Sequence, residues 1–380
     1  MRKHQKANAP SPDELINRVS ELFTHPCYNN IRRVVVEHAK LLEAHHAEGI
    51  MAFTKWAQSF ERILVKNPGQ RFHMDAWFAA DVASGLGREV PLSQMLVPFY
   101  LGEWFYFLPP QPRFKGVGSQ LIYGVSFPGS DLLKDVHLLE YPWLFHETGH
   151  HLLDRVDKQL FESVRTALAS TLRKERRRNP SASPEVRAIV TDRLKRYERF
   201  WSPDLAIQNW TVEIFADVIA VWTCGPAFIA SFIDNTENSA QRPFETHVTH
   251  PPFNLRAVLL IEVGESLGWD RYLGGLRDLV RKWKSKPLEM SAQNDYAAMA
   301  TSELSAVVID AALTLCRNLQ LPQCTVESID SLRKWIESPQ SPDSAFQMIV
   351  GAWLKEHDQP DAFDAWEASV LDLLQRELTE

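Results

Sequence analysis

The chain has 380 residues, of which 45% are hydrophobic and 23% are charged, enough to bury a large core in one domain with helical additions. Its formal net charge of −7 argues against a nucleic-acid-binding protein as a whole. No apolar segment follows the basic N-terminus and the four cysteines form no C-x-x-C pair, so we expect no secretory signal, no disulfides and a cytoplasmic location.

The predicted elements are mostly helices, and prolines mark many of their ends. In chain order, the hydrophobic pattern predicts helices over residues 12–24, 31–48, 51–65, 144–178, 184–201, 210–223, 226–233, 253–267, 270–284, 295–319, 326–337, 341–356 and 361–378. The longest apolar run, residues 218–233, is interrupted by Gly225 and Pro226. It is shorter than the roughly 20 residues that cross a bilayer, so we expect no membrane span.

One β-prone segment, residues 120–127, is closed by Pro128 and Gly129. It is either an edge strand, to which an extended peptide can add through main-chain hydrogen bonds, or an ordinary strand of a sheet. The pattern supports both interpretations equally.

The most informative motif is H-E-x-x-H, formed by His146, Glu147 and His150. Residues four apart share one face of a helix, so both imidazoles can bind one metal ion while Glu147 accepts a proton from water. Large apolar residues surround the motif, and its polar groups would be costly to bury without partners. Metal binding is therefore favoured over a helix with solvated histidines. Gly149, in mid-helix, indicates the close approach of another backbone or of a substrate.

A basic stretch follows over residues 173–199, and residues 179–184 divide it into two helices. Interleaved acids favour a solvated helical hairpin over a phosphate-binding patch. This insertion could also cover a cleft or meet a partner.

The next apolar helix carries only two acids, Glu213 and Asp217, which lie four apart and hence on one face. A catalytic zinc site takes three protein ligands, so Glu213 is the predicted third ligand of one Zn²⁺ ion. Asp217 is placed to accept the free ring N–H of a ligating histidine. The alternative is that one of the acids pairs with an arginine.

A third motif places Arg256 six residues after His250, with two prolines between them. Alone, it predicts only a turn that starts a helix at Phe253, with His250 and Arg256 capping it or solvated. Together, however, H-E-x-x-H, E-x-x-A-D and H-P-P-x-x-x-R resemble the gluzincin metallopeptidases of the CAAX prenyl endopeptidase and stress-induced membrane protease family. The resemblance covers residues 146–256.

The resemblance implies a general base at Glu147 and a supporting role for Asp217 beside the metal ligands, which are His146, His150 and Glu213. It also implies that His250 and Arg256 line the catalytic cleft near the oxyanion or the substrate. The expected fold is mainly α (α+β), with a zincin-like core that contains a small sheet and an edge strand.

We expect helical additions over residues 1–70 and 286–380, around a catalytic core over residues 71–285 with a helical insertion at 155–205. The relatives carry several transmembrane helices, whereas this sequence shows no comparable span. We therefore expect a soluble relative and not a prenyl-protein processing enzyme. Its expected partners are a protein or peptide substrate and, as a further possibility, a regulatory protein, with no nucleic acid.

The expected function is zinc-dependent hydrolysis of peptide bonds. Three alternatives stay open: hydrolysis of another amide or ester, a catalytically silent zinc-containing regulatory or binding module, and a DNA-linked regulator with a peptidase-like domain. Glu147 argues against the silent module, because a structural zinc site prefers four protein ligands and needs no base. The sequence contains no evident helix-turn-helix with a basic recognition helix, so the DNA-linked regulator ranks last.

Overall fold

The computed structural model describes residues 17, 70–86, 96–102, 106–108, 123–128, 137–153, 161–177, 183–202, 209–238, 243–247, 249–285 and 302–379. This part of the chain is mainly helical, as the sequence predicts. Its twelve helices are α1 (Gln70–Leu86), α2 (Pro142–Leu153), α3 (Glu162–Arg177), α4 (Pro184–Phe200), α5 (Trp210–Cys224), α6 (Pro226–Asn238), α7 (Phe253–Ser266), α8 (Gly274–Lys284), α9 (Ser302–Asn318), α10 (Val326–Glu337), α11 (Ala345–Asp358) and α12 (Phe363–Thr379).

Helix α5 is the central helix of the described part of the chain, and all of its residues are buried. It starts where the Asn209 side chain accepts a hydrogen bond from the Val212 backbone N–H at 3.2 Å. It ends at Gly225, whose φ of 57° favours glycine and whose backbone lies close to the side chain of Cys324. Helices α2, α6, α7, α9 and α11 pack around α5, which explains why its sequence is apolar on every side.

The C-terminal helices belong to the same hydrophobic core, which extends from Met74 to Leu378. Helix α9 packs on α3 and α5, and α11 packs on α1, α5 and α6. Two hydrogen bonds tie this region to the end of α5: Trp222 Nε1 donates to the Leu321 carbonyl at 3.0 Å, and the Cys324 N–H donates to the Trp222 carbonyl at 2.9 Å. The helix that carries the predicted third ligand is therefore held firmly in place. The division of the chain at residue 285 stays a prediction.

A three-stranded sheet has the order β1-β3-β2, with strands β1 (Leu96–Gly102), β2 (Tyr106–Leu108) and β3 (Tyr123–Pro128). Strand β3 pairs parallel with β1, where Leu96 faces Tyr123, and antiparallel with β2, where Phe107 faces Val125. It confirms the predicted strand over 120–127, but its interpretation as an edge strand is wrong. Within the described sheet β3 is the middle strand, paired with β1 on one side and with β2 over Gly124–Ser126 on the other, so a peptide cannot add along that stretch. Strands β2 and β3 pack against α2.

The helix boundaries agree with the prediction for most of the described chain. Helices α4, α5, α7 and α10 match to within a residue, and α6 runs five residues further than predicted. The predicted helix over 144–178 corresponds to α2 and α3, between which residues 154–160 lie outside the description. Helix α1 has no predicted counterpart, and the predicted helices over 12–24, 31–48 and 51–65 fall outside the described residues except for residue 17, which is helical. None of the described helices has the length and apolarity needed to cross a bilayer.

Candidate metal centre

The H-E-x-x-H motif lies on α2, which packs directly against α5. Gly149 allows this contact: a Cβ at that position would lie 3.4 Å from Ala216 Cα and 3.5 Å from the Ile219 side chain. The sequence indicated a close approach of a backbone or a substrate at this glycine, and the structure shows the backbone of α5. The short distance between the two helices brings the histidines of α2 within reach of the acids of α5.

The three predicted metal ligands lie together between these helices. The Nε2 atoms of His146 and His150 are 3.2 Å apart, and each lies 3.5 Å from one carboxylate oxygen of Glu213. The three side chains are buried, and their ligand atoms all fall within 4.8 Å of one another. Two imidazole nitrogens and a carboxylate oxygen form a group that can hold a metal ion.

The surroundings of Glu213 fit a bound cation. The residue is 1% exposed, yet neither of its carboxylate oxygens accepts a hydrogen bond of ordinary geometry from a described residue. A buried carboxylate without donors is unfavourable unless a charge compensates it. With Glu147, Glu213 and Asp217 ionised and Arg256 protonated, the site has a net charge of −2 while its imidazoles are neutral. A doubly charged cation would balance it.

Asp217 occupies the predicted place behind the ligands. Its Oδ1 lies 2.9 Å from His146 Nδ1, within hydrogen-bonding distance, so it can hold this imidazole with Nε2 directed at the ligand group. The other side of the same carboxylate is bound by Arg256, whose Nε donates to Oδ2 at 2.8 Å and whose Nη2 donates to Oδ1 at 2.6 Å. The three side chains form a buried chain of contacts from α7 through α5 to α2.

This arrangement changes the role expected for Arg256. The residue is 4% exposed, and its guanidinium lies over the rings of Trp143 and Phe232, 5.6 Å and 5.4 Å from their centroids. The sequence led us to place it in the cleft near the oxyanion or the substrate. Because two of its N–H groups bind Asp217 and aromatic rings enclose it, we assign Arg256 to positioning Asp217 instead.

The electrostatics of the group follow from burial and from this charge pattern. Burial alone would lower the pKa of His146, but the carboxylates of Asp217 and Glu213 outweigh it and raise the pKa to about 9. For His150 burial dominates and lowers the pKa to about 4. Burial raises the pKa of Glu213, but the two imidazoles outweigh that effect and hold it below its usual range. A metal ion must therefore compete with a single proton, which His146 binds most strongly.

Glu147 and His250 flank the ligand group. Glu147 Oε1 lies 4.0 Å from His146 Nε2, with only a tenth of its side chain exposed. His250 Nε2 lies 3.6 Å from Glu213 Oε1, and about half of its side chain is exposed, so it stands where the site opens to solvent. The Thr249 hydroxyl is 2.7 Å from the Nδ1 atoms of both His250 and His247 and so orients the His250 ring.

Several residues that shape the site were not predicted. The rings of Trp143 and Phe228 pack on His146, with centroids 5.4 Å and 6.0 Å from the imidazole. Trp210 Nε1 donates to the His247 carbonyl at 2.8 Å and fastens the segment before His250 to α5. In the sequence the aromatic residues cannot be told from ordinary core residues. Thr249 and His247, in contrast, lie within three positions of His250, and this closeness could have indicated that they contact its ring.

Comparisons of the chain with protein-family models, curated proteins and solved structures find no match. Any functional assignment therefore depends on the site itself.

Proposed function

We propose that the protein is a zinc-dependent metalloendopeptidase. The observation that carries this proposal is the buried cluster of His146, His150 and Glu213, with the carboxylate of Glu147 beside it. The pattern of H-E-x-x-H, E-x-x-A-D and H-P-P-x-x-x-R supports a peptide as the substrate, through its resemblance to gluzincin peptidases.

Zinc is the metal that suits this ligand set best. Catalytic zinc sites commonly combine two histidines and one glutamate from the protein and leave a position open, whereas structural sites are closed by four protein ligands. A zinc ion bound here would supply Lewis acidity, which polarises a carbonyl and makes water a nucleophile near neutral pH. His146, His150 and Glu213 would hold the ion, and Asp217 would keep His146 in the tautomer that binds.

Glu147 would carry the proton through the reaction. Its carboxylate is mostly buried beside the ligands, so it can accept the proton of a water molecule that attacks the peptide carbonyl. The same carboxyl then delivers that proton to the departing amine, which leaves as a neutral group. This sequence returns Glu147 to its starting state.

His250 would assist at the carbonyl oxygen. It stands at the solvent side of the cluster, and the Thr249 hydroxyl holds the far side of its ring. As negative charge develops on the carbonyl oxygen, a hydrogen bond from Nε2–H would stabilise it. A preorganised donor of this kind typically contributes about 10²–10³ in rate.

The described cysteines support a reducing compartment, and we propose that the protein is cytoplasmic. Cys224, Cys316 and Cys324 are buried free thiols. Burial raises the pKa of the Cys324 thiol to about 12, so it stays protonated and unreactive.

The decisive experiment compares the purified wild-type chain with Glu147→Gln. We expect wild-type protein with zinc to cleave unfolded protein substrates, and Glu147→Gln to bind the same amount of zinc with turnover lower by about 10²–10⁴, because only the proton carrier is lost. Cleavage assays on denatured casein and on a proteome-derived peptide mixture, together with metal analysis, measure both properties.

The same experiment separates the alternatives. If the wild-type chain hydrolyses members of a panel of non-peptide amides and esters but no peptide, the proposed substrate class is wrong. If Glu147→Gln cleaves peptides at the wild-type rate, the role of Glu147 is wrong.

A further inference from the structure

The helical hairpin formed by α3 and α4 differs in charge from the rest of the protein. Residues 162–200 contain eleven Lys and Arg against five Asp and Glu, a net charge of +6, whereas the remainder of the chain carries −13. Such a separation of charge between parts of one chain is typical of proteins that bind an anionic partner.

The end of α3 carries the strongest positive charge. Arg173, Arg176 and Arg177 are exposed on the face opposite the buried residues Val164 and Leu168. None of these three arginines forms an ion pair with another described residue, in contrast to Arg165 and Arg196 in the same hairpin. Basic residues in the last turn of α3 interact favourably with the partial negative charge at the C-terminus of the helix. This interaction can explain the arginines, but it does not explain the exposed aliphatic side chains in the first turns of α4.

The first turns of α4, which lie next to the end of α3 along the hairpin, expose aliphatic side chains. Val186 is 41% exposed and Ile189 is 61% exposed, and these two are the exposed large hydrophobic residues of the described chain. They are three residues apart and hence on one face of α4. We refer to Arg173, Arg176, Arg177, Val186 and Ile189 as the hairpin tip.

The hairpin tip projects from the body of the protein. Among the described elements, α4 packs substantially on α3 alone. The base of α4 is anchored instead, since Phe200 stacks on Trp210 and both are buried. Helix α3 is held by α9. The tip thus combines three exposed cations at the end of α3 with two exposed aliphatic side chains at the start of the neighbouring helix α4.

We propose that the hairpin tip docks the protein on an anionic phospholipid surface, with the arginines at the headgroups and Val186 and Ile189 inserted between them. A basic helix surface with exposed aliphatic residues has the composition of an interfacial membrane contact. The body, at −13, would be repelled by the same surface, which leaves the tip as the point of contact. This inference goes beyond the peptidase proposal, because none of these residues belongs to the metal centre.

Two other anionic partners fit the tip less well. Nucleic acid would use the arginines but leave the aliphatic pair without a role, and Phe161 and Phe200, at the bases of the hairpin helices, are buried and cannot stack on bases. An acidic peptide would pair with the arginines, but its charged side chains would not cover Val186 and Ile189. A phospholipid surface offers anionic headgroups to the arginines and an apolar layer beneath them to the two aliphatic side chains.

The test is flotation of the full chain with phosphatidylcholine vesicles that contain or lack phosphatidylserine. We expect wild type to bind only the vesicles with phosphatidylserine. The triple variant Arg173→Glu/Arg176→Glu/Arg177→Glu should bind them about a hundredfold more weakly or worse, because each cation near an anionic bilayer contributes about a factor of five. Val186→Ser/Ile189→Ser should bind about tenfold more weakly, with unchanged net charge.

A matched control separates the tip from charge in general. Lys284→Glu/Arg317→Glu/Lys334→Glu makes the same change in net charge at exposed helical positions outside the hairpin, and we expect it to bind within about twofold of wild type. Circular dichroism establishes that each variant is folded. The proposal is overturned if wild type ignores phosphatidylserine, if the control loses as much binding as the tip variant, or if the serine variant binds as wild type does. It is equally overturned if the chain binds double-stranded DNA but no vesicles.

Discussion

The metal centre and the basic hairpin contain ion pairs of the same length in opposite surroundings. Arg256 Nε donates to Asp217 at 2.8 Å, and Arg196 Nη2 donates to Asp192 at the same distance. The first pair has side chains that are 5% and 4% exposed, whereas the second pair is 43% and 64% exposed. These two hydrogen bonds alone would rank the pairs as equal, although Arg256 also donates from Nη2 to Asp217 Oδ1 at 2.6 Å.

Burial makes the two pairs unequal in their contribution to the stability of the protein. In the hairpin, water screens the attraction and either partner can be solvated alone, so the pair contributes little. In the metal centre, removal of Arg256 would leave the buried carboxylate of Asp217 without its guanidinium partner, with only the imidazole of His146 still within hydrogen-bonding distance among the described side chains. The buried charges therefore fix the geometry of the site, while the hairpin charges remain available to a partner.

The largest expected difference between the two regions is the loss of stability when the arginine of each pair is replaced. Arg256→Met should lower the free energy of unfolding by about 3–5 kcal/mol, because a buried carboxylate loses both hydrogen bonds from its charged guanidinium partner. Arg196→Met should lower it by less than about 1 kcal/mol, because both of its groups are solvated. Urea unfolding of the full chain measures both values, and equal losses would contradict the comparison.

A second measurement on the same variant tests the positioning role of Arg256. Asp217 without its guanidinium should hold His146 less well, and we expect the affinity for zinc to fall by about 10- to 100-fold. Competition with a chelator measures this affinity, with Arg196→Met as the control that keeps wild-type affinity. Unchanged zinc affinity in folded Arg256→Met would make Arg256 a purely structural residue.

A smaller effect on stability is expected from the pair of His137 and Glu367, which is intermediate in exposure between the buried pair and the exposed pair. The side chain of His137 is 56% exposed, and its Nδ1 lies 3.5 Å from Glu367, which is largely buried and accepts the Leu138 N–H at 2.7 Å. The hydrogen bond to Glu367 raises the pKa of His137 above 6.5. The resulting stability is fully present below the unfolded pKa and is lost as pH rises through the folded pKa.

We therefore expect wild type to be more stable than His137→Gln at about pH 5.5, and the difference to vanish by about pH 9. Solvent screening should keep the difference below about 1 kcal/mol. Paired urea titrations at the two pH values give the result. A difference that grows with pH would reverse the sign and refute the pairing.

The sequence predicts those features that depend on local spacing. Glu213 and Asp217 stand out because they are the only acids on an apolar helix, and a four-residue separation places them on one face. The bounds of α4 and α10 follow from capping and proline signals: Pro184 begins α4, and Thr325 caps α10 through the Ser328 N–H.

Features that depend on contacts between distant parts of the chain could not be predicted from the sequence. Residue spacing places Arg256 on a helix but does not reveal that its partner is Asp217, 39 residues earlier. The central position of β3 is set by two distant strands and not by its own residues. Helix α1 lacks an acidic residue in its first turn and a basic residue in its last, so its ends carry no charge signal.

The most direct test of the account is the zinc content of the purified chain and of three variants, measured after dialysis with excess zinc. We expect one zinc ion per wild-type chain and per His250→Ala chain, and almost none in His150→Ala or Glu213→Ala, because each of these two loses a ligand. Zinc that is absent from wild type, or retained equally by all four proteins, would contradict a metal centre formed by His146, His150 and Glu213.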